Sequence, residues 1–236
     1  MIYVTGDTHG LIDIGKLIEF ASTNNVTKND FVIVAGDFGA IWDVNSVGQY
    51  VDIYNNFPFT TLFVDGNHEN FDFLYTFPIE DWNGGKIHRI SKKIIHLMRG
   101  EVFYIDGIRI LTIGGAESDD KELRIKHLSW WPQETITKAD IHRALESALK
   151  YKQIDYIVTH TCPQKYLTKE LLKTRKNKTN NESEENLDII AEKVLYSGWY
   201  FGHWHKDQFV APNVRAVYND IIKLNLLEEA PNKTCK

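Results

Sequence analysis

Five short apolar runs, each followed at once by a small polar block, constrain the fold of this chain more than any other feature. The runs end at Val4, Ala35, Val64, Val158 and Phe201. Each has the length and the β-branched or aromatic content of a buried strand. Loops at the carboxyl ends of neighbouring strands converge at one edge of an α/β sheet, where ligands bind. The five polar blocks are therefore predicted to meet at one place.

Strands and helices alternate over the first third of the chain. Apolar residues at helical spacing predict a helix over residues 11–22, and weaker patterns predict a helix over residues 47–56 and a short one over residues 70–76. This alternation favours parallel strands that are joined by right-handed crossovers.

The middle of the chain has a different pattern. Four short runs between residues 86 and 113 predict strands, and Asp106-Gly107 between the last two runs predicts a hairpin. A helix is expected over residues 139–151, with Thr137 as its N-terminal cap. This part therefore indicates a second group of strands, some of them antiparallel.

The last third contains one polar stretch between two patterned segments. Residues 169–185 are rich in Lys and Asn and predict a mobile surface segment. A helix is expected over residues 187–195, and short strands are expected over residues 198–227. Since we find neither an internal repeat nor a second domain, we expect residues 1–236 to form a single α/β domain.

Composition narrows the class of function. A net charge of -5 argues against broad electrostatic binding to nucleic acid or to an anionic membrane, so no stable nucleic-acid complex and no membrane association are expected. A nucleotide substrate held by metals remains compatible with that charge. The two cysteines, Cys162 and Cys235, provide no disulfide framework, which favours the cytoplasm. The first strand begins at Ile2, so no signal peptide is expected before it.

The polar blocks carry side chains that suit divalent metals. Asp7 and His9 lie two residues apart, so in extended geometry they share a face, and Asp37 has two oxygens that can bridge two ions. Nitrogen and oxygen donors without thiolate suit Mn, Fe or Zn better than Ca. The seven candidate ligands, about the number that two ions need, are Asp7, His9, Asp37, Asn67, His160, His203 and His205.

A charge count favours phosphate as the substrate group of this site. Two divalent ions bring four positive charges, and Asp7, Asp37 and a bridging hydroxide remove three of them. The remaining positive charge would attract a phosphoryl anion, and two metals can hold both oxygens of an in-line displacement. His68, next to Asn67, is the obvious proton donor to the leaving oxygen.

In order, the blocks read D-x-H, G-D, G-N-H-[DE], a strand-end His and G-H-x-H, from Asp7 to His205. In this ordered set the chain resembles the calcineurin-like metallophosphoesterases. The resemblance implies a two-sheet β-sandwich flanked by helices, with phosphoester hydrolysis by a metal-bridging hydroxide. It also implies a role for each residue: Asp7, His9 and His205 at the first metal, Asn67, His160 and His203 at the second, Asp37 as the bridge and His68 as the proton donor.

The chain departs from one branch of that family. Protein Ser/Thr phosphatases and bis-nucleoside tetraphosphatases of the family read G-D-x-x-D-R-G, whereas Ala40 and Ile41 stand here in place of the Asp and the Arg. A protein-phosphatase function is therefore disfavoured. Arg99 or Arg124 is a candidate replacement for the missing Arg, while Asp43 is out of register.

These observations predict a dinuclear metal-dependent phosphoesterase, preferably a phosphatase, with Mn²⁺ as the favoured metal and Fe or Zn as alternatives. A phosphorylated small molecule or a nucleotide is the expected substrate. A phosphodiesterase or nuclease with the same metal site is the alternative enzyme, and a non-catalytic metal-binding scaffold is the alternative outside the enzymes. The oligomeric state stays open. Outside the blocks, we expect ordinary surface or core roles for His88, His96, His127 and His142, and plain packing for Trp130-Trp131.

Overall fold

The computed structural model describes residues 1–173, 175 and 181–225 of the chain. The strands in these ranges are β1 (Ile2–Thr5), β2 (Phe31–Ala35), β3 (Thr60–Val64), β4 (Ile79–Trp82), β5 (Gly85–Arg89), β6 (Ile94–Leu97), β7 (Glu101–Ile105), β8 (Ile108–Ile113), β9 (Ile154–Thr159), β10 (Tyr196–Phe201), β11 (Gln208–Ala211), β12 (Val214–Ala216) and β13 (Ile222–Leu224). The helices are α1 (Gly15–Thr23), α2 (Val44–Asn55), α3 (Phe71–Leu74), α4 (Lys138–Ala148), α5 (Lys169–Leu172) and α6 (Glu182–Lys193).

The described strands form two mixed sheets. The first sheet has the order β13-β1-β2-β3-β6-β5-β4, and the second has the order β11-β12-β10-β9-β8-β7. The strands β1, β2 and β3 are parallel neighbours in the first sheet, as the strand–helix alternation predicted. In the second sheet β8, β9 and β10 are parallel neighbours. The expected two-sheet architecture flanked by helices is confirmed.

Alternation along each strand divides the core into layers. In β2, Ile33 and Ala35 point into the cluster between the two sheets, while Val32 and Val34 point into the cluster beneath α1 and α2. On the far side, residues of the second sheet such as Trp199 pack against α4 and α6. Because each strand face meets an apolar layer, the register of the central strands is fixed, and so are the positions of their ends.

Local signals explain several boundaries. Asp106 and Gly107 both have positive φ, 49° and 83°, and join β7 to β8 in the tight hairpin that the sequence predicted. Thr137 caps α4 by accepting from the N–H of Asp140, whose carboxylate accepts from the N–H of Thr137 in return. Asn70 caps the short helix α3.

Three expectations from the sequence need correction. The first helix begins at Gly15 rather than at residue 11, because residues 11–14 are occupied by the turns that leave the first polar block. The sequence pattern also missed β4, which pairs with β5.

Within the described ranges, no helix is both long enough and apolar enough to cross a bilayer.

The third correction concerns residues 169–185, expected as a mobile surface segment. Its ends are ordered helix: α5 buries Leu171, and α6 begins at Glu182 with Asn181 as its cap, earlier than the expected residue 187. The side chains of Ser183 and Glu184 are buried, so polar composition here does not mean exposure. Residues 174 and 176–180 lie outside the described part of the chain.

Candidate metal centre

The carboxyl ends of five strands bring the polar blocks together. In the first sheet, β1, β2 and β3 lead into the loops that carry Asp7, Asp37 and Asn67. In the second sheet, β9 leads to His160 and β10 leads to the loop with His203 and His205. Because the two sheets are packed face to face, these edges lie side by side. This is the convergence that the sequence predicted.

Glycines in the blocks allow the loops to approach each other closely. A Cβ atom on Gly66 would lie 2.1 Å from Oδ1 of Asp37, and one on Gly202 would lie 2.3 Å from Oδ1 of Asp7. Any larger residue would push these loops apart. Gly66 and Gly202 are therefore requirements of the site's geometry.

Asp7, His9 and His205 form the first group of donors. Their ligand atoms all lie within 4.8 Å of one another, a spacing that could hold a metal ion. Nε2 of His205 lies 3.1 Å from Oδ2 of Asp7, and Nε2 of His9 lies 4.0 Å from the same oxygen. The sequence pattern placed these residues together, and the structure confirms their proximity.

Two residues that the sequence reasoning missed support this group. Asp13 accepts from Nδ1 of His9 at 2.7 Å, which leaves Nε2 directed at Asp7 and Asp37. Tyr218 donates to the same carboxylate at 3.0 Å and stacks its ring on His205 at 4.6 Å. Only Asp13 carried a sequence signal, since it stands four residues after His9.

Asp37 lies between the two halves of the site. Its Oδ2 is 3.3 Å from Nε2 of His9, and its Oδ1 is 3.1 Å from Nε2 of His160. Asp37 belongs to two donor groups, one with His9 and His68 and one with Asp7 and His160. Its side chain is almost completely buried. Asp37 therefore directs one carboxylate oxygen towards each half of the site.

His160 and Asn67 are also oriented by their neighbours. Nδ1 of His160 donates to the carbonyl oxygen of Ala35 at 2.8 Å, so Nε2 is the ring nitrogen that faces Asp37 and Asn67. The amide nitrogen of Asn67 donates to Oγ of Ser118 at 3.2 Å, which directs its Oδ1 towards His160. Ser118 is thus a further supporting residue that the sequence reasoning missed.

His203 is placed less closely than the other predicted ligands. Its ring centroid lies 5.0 Å from that of His160, and its backbone N–H donates to Oδ1 of Asp7 at 3.0 Å. Among the described residues, its ring nitrogens belong to none of the three donor groups. The structure therefore places the ring of His203 beside the site, but its ring nitrogens do not converge with the other ligand atoms.

The backbone is strained where the donors lie. His9, Asp37, His203 and His205 all have positive φ, between 43° and 66°, a region that non-glycine residues seldom occupy. Such strain costs about 1–3 kcal/mol per residue and persists mainly where function requires it. Its concentration in three of the five loops sets this edge of the sheets apart from the rest of the chain.

The electrostatics of the site depend on its buried carboxylates. Burial opposes ionisation of Asp37, but His160, His68 and His9 hold its pKa well below the usual range. Burial also disfavours the charged form of His160 and His9, which lowers their pKa values. The nearby carboxylates outweigh this effect and raise both pKa values to about 9. Divalent cations fit this donor set because they would replace those protons and neutralise the carboxylates.

His68 stands at the rim of the site. Its backbone N–H donates to Oδ1 of Asp37 at 2.7 Å, and its ring lies 5.5 Å from that of His9. Burial lowers the pKa of His68, and although Asp37 opposes this effect, Arg124 adds to it. The ring is therefore close to the proposed metals but has no carboxylate hydrogen-bonded to it among the described residues.

The residues at the positions of the absent Asp-Arg pair belong to the core. Ala40 and Ile41 are completely buried in the cluster beneath α1 and α2, so neither faces the site. The carboxylate of Glu69 instead accepts from the backbone N–H groups of Phe38 and Gly39, at 2.7 and 3.2 Å. Glu69 therefore holds the G-D loop against the G-N-H-E loop.

The two arginines proposed as replacements lie in different places. Arg99 is buried and does not face the cleft over the donors; its Nε donates to Oδ2 of Asp65 at 2.8 Å. Arg124 faces a cleft of about 370 Å³ over the donors. The cleft is lined by Asn67, His68, Asp119, Asp120, Arg124, Arg175, His203, Trp204, His205 and Lys206.

The side chains expected to have ordinary roles lie outside the site. His88 and His96 are buried as a cross-strand pair with 2.9 Å between their Nδ1 atoms. Trp131 is buried against Trp42 and donates to Asp72 at 2.8 Å. These placements agree with the core and packing roles predicted for them.

Comparisons with known proteins agree with this geometry. A family model described as calcineurin-like phosphoesterase matches residues 1–207. Lariat debranching enzyme A of Xenopus laevis is 26% identical over 86% of this chain, and the lariat debranching enzyme of Schizosaccharomyces pombe is 28% identical over 68% of it. The matches cover 42% and 36% of those relatives, so the chain spans about two fifths of their length.

A solved structure, the phosphopantetheinyl hydrolase of Mycobacterium tuberculosis, aligns over 92% of this chain and 89% of that chain. The TM-score is 0.44 and the sequence identity is 15%.

Proposed function

Because this chain belongs to the calcineurin-like phosphoesterase family, we propose that it hydrolyses phosphodiesters of nucleotides or RNA with two bound divalent metals. The single observation that carries the activity is the position of Asp37, buried between two groups of ligand atoms. Bound divalent ions would supply Lewis-acid activation of water and stabilise charge on the phosphoryl oxygens.

The ligand assignment is the one that the family resemblance implies, and its first set, Asp7, His9 and His205, is also a donor group of the structure. Asp7, His9 and His205 would hold one ion, Asn67, His160 and His203 would hold the other, and Asp37 would contact both. The hydrogen bonds from His9 to Asp13 and from His160 to the carbonyl of Ala35 orient both rings before any metal arrives. Imidazole and carboxylate donors together suit Mn²⁺, Fe or Zn, and of these we propose Mn²⁺.

The chain's own residues would also handle the leaving group. His68 stands in the wall of the cleft beside Asn67, where it would donate a proton to the leaving oxygen. Nothing at Ala40 orients this ring, since that side chain is buried elsewhere. We therefore place the contribution of His68 at the low end of the range for general acids.

One observation favours a diester over the monoester that the sequence alone favoured. The relatives named in the comparisons are lariat debranching enzymes. A phosphatase with the same metal site is the second candidate.

A nucleic-acid substrate is compatible with the net charge of -5. That charge disfavours long-lived binding along a nucleic-acid backbone but does not prevent local capture of one phosphodiester by metals. We propose transient contact with one linkage, in a reducing compartment where Cys162 stays a free thiol.

The test compares esters on the metal-depleted chain after reloading with Mn²⁺. Bis(p-nitrophenyl) phosphate should be hydrolysed with a higher kcat/KM than p-nitrophenyl phosphate, and branched RNA should be cut in preference to linear RNA. His160→Ala should lose activity by about 10³-fold. The matched control His142→Ala, at an exposed histidine beside Glu146, should keep it.

Faster turnover of the monoester would support the phosphatase instead. Undiminished hydrolysis by His160→Ala would contradict the proposed metal site itself, since this side chain is completely buried between Asp37 and Asn67.

A further inference from the structure

Arg124 lies in the wall of the cleft, beside the proposed proton donor but outside every donor group. It lines the cleft together with His68 and Asn67, so its guanidinium shares the space in which a substrate would sit. Its side chain is 18% exposed, so most of the stem is packed while part of the group stays accessible. None of the metal-binding roles assigned above uses this residue.

The guanidinium of Arg124 is held in place by two acceptors. Nε donates to Oδ1 of Asp120 at 2.6 Å, and Nη1 donates to the carbonyl oxygen of Ser129 at 3.2 Å. These contacts use two of the five N–H donors that an arginine carries. Because the side chain is already ordered, binding an anion would cost little further side-chain entropy.

The other arginine in the cleft is less available. Arg175 is paired with Glu184, whose side chain is 1% exposed, and its guanidinium lies 5.3 Å from the ring centroid of Trp204. Moving Arg175 towards a substrate would leave a buried carboxylate unpaired. The partner of Arg124, Asp120, is 31% exposed and can be solvated, so Arg124 can adjust at lower cost.

We propose that Arg124 binds a non-bridging oxygen of the substrate's scissile phosphate and so supplies the cation that Ile41 does not. The inference rests on the proposed function, because it assigns the phosphate a place beside His68. A guanidinium donates charge-assisted hydrogen bonds to phosphate oxygens, and such bonds strengthen as negative charge develops in the transition state. Arg124 is then a catalytic residue rather than a structural one.

The experiment measures Arg124→Ala, Arg124→Gln and Arg124→Lys in the Mn²⁺-loaded full chain, on whichever ester the wild type hydrolyses faster. The Ala and Gln variants should have a kcat/KM lower by about 10²-fold, and the Lys variant by about 10-fold. A lysine ammonium keeps the positive charge but lacks the planar geometry with which a guanidinium donates two parallel hydrogen bonds. Arg89→Ala is the matched control, since Nε of Arg89 also donates to a carboxylate, Glu80, at 2.7 Å. It should stay within about twofold of the wild type.

A second measurement separates binding from folding and from metal loading. Inorganic phosphate should bind the Ala and Gln variants at least about 10-fold more weakly by calorimetry, with unchanged metal content and Tm. Free guanidinium should restore part of the activity of Arg124→Ala and should leave the activity of Arg89→Ala unchanged.

The proposal and the proposed function fail in different ways. The wild-type preference between diester and monoester decides the proposed function, whereas the ratio of wild type to Arg124 variants decides the role of Arg124. If Ala and Gln keep both kcat/KM and phosphate affinity within about threefold, the assignment of Arg124 is overturned. Phosphate binding decides it even if neither ester is hydrolysed.

Discussion

Replacing Arg99 should unfold this chain more readily without changing its chemistry, because its guanidinium joins three segments and does not line the cleft over the donors. Nε donates to Oδ2 of Asp65 at 2.8 Å, Nη1 donates to the carbonyl of Thr135 at 3.0 Å, and Nη2 donates to the carbonyl of Gln133 at 2.7 Å. Asp65 is 1% exposed as a side chain and Arg99 is 8% exposed. The perturbation is Arg99→Ala.

The magnitude follows from the groups that this change leaves behind. Removing one partner of a buried ion pair costs about 3–5 kcal/mol, because the other charge stays buried. The two carbonyls add about 1 kcal/mol if water reaches them in part. The expected loss in the free energy of unfolding is therefore roughly 4–6 kcal/mol, which for a chain of this size lowers Tm by about 10–20 °C.

The loss of stability in Arg99→Ala should depend on pH in a definite direction. Burial alone would raise the pKa of Asp65, but Arg99 and His96 hold it well below the usual range. A depressed folded-state pKa contributes stability above the unfolded pKa of about 4. Without Arg99 the pKa of Asp65 should rise, so that protonation removes the buried charge. The stability difference between wild type and Arg99→Ala should therefore shrink as the pH falls from 7 to 4.

Equilibrium unfolding in urea, followed by tryptophan fluorescence, measures the loss. Arg89→Ala, which breaks a partly exposed pair with Glu80, should cost at most about 1 kcal/mol. Adding Asp65→Asn to Arg99→Ala should recover part of the loss, since it removes the unpaired charge. A loss below about 1 kcal/mol, together with a large drop in kcat at unchanged metal content, would refute the reasoning and make Arg99 a catalytic residue.

Three further predictions concern the metal centre. Carboxylates outweigh burial and raise the pKa of His9 and His160 to about 9, so a metal must displace protons from these rings below that pH. Mn²⁺ affinity measured by calorimetry should therefore rise with pH up to about 9. A flat profile between about pH 6 and 9 would contradict this. His68→Ala should slow alkyl esters about 10²-fold more than nitrophenyl esters, and more so as the pH falls below its lowered pKa, whereas equal slowing of both at full metal content would remove its role as proton donor. Asp37→Asn should lower both metal content and turnover by orders of magnitude; two bound ions with near-normal turnover would rule out the bridge.

The strand ends were predictable because two local signals coincide there. An apolar run that ends in Gly-Asp, such as the one before Asp37, fixes both the strand and the position of the donor. Convergence at the sheet edge then follows from the parallel order of β1, β2 and β3. The sequence therefore predicted that the proposed ligands lie together at this edge, which the structure shows.

The supporting residues were not predictable, because their contacts join distant parts of the chain. Ser118 meets Asn67 across 51 positions, and Tyr218 meets Asp13 across 205. The choice between Arg99 and Arg124 likewise depended on tertiary position, since neither residue lies in a block. Residues 169–185 were misjudged because burial of Ser183 and Glu184 is determined by packing of α6 rather than by polarity.

The central claim is that two divalent metals at this site hydrolyse a phosphodiester. Its most direct test is a titration of the metal-depleted chain with Mn²⁺, in which bound metal and hydrolysis of bis(p-nitrophenyl) phosphate are measured on the same samples. Activity should rise steeply only as the second ion binds and should saturate at two ions per chain. Saturation at one ion, or full activity in excess chelator after extensive dialysis, would contradict it.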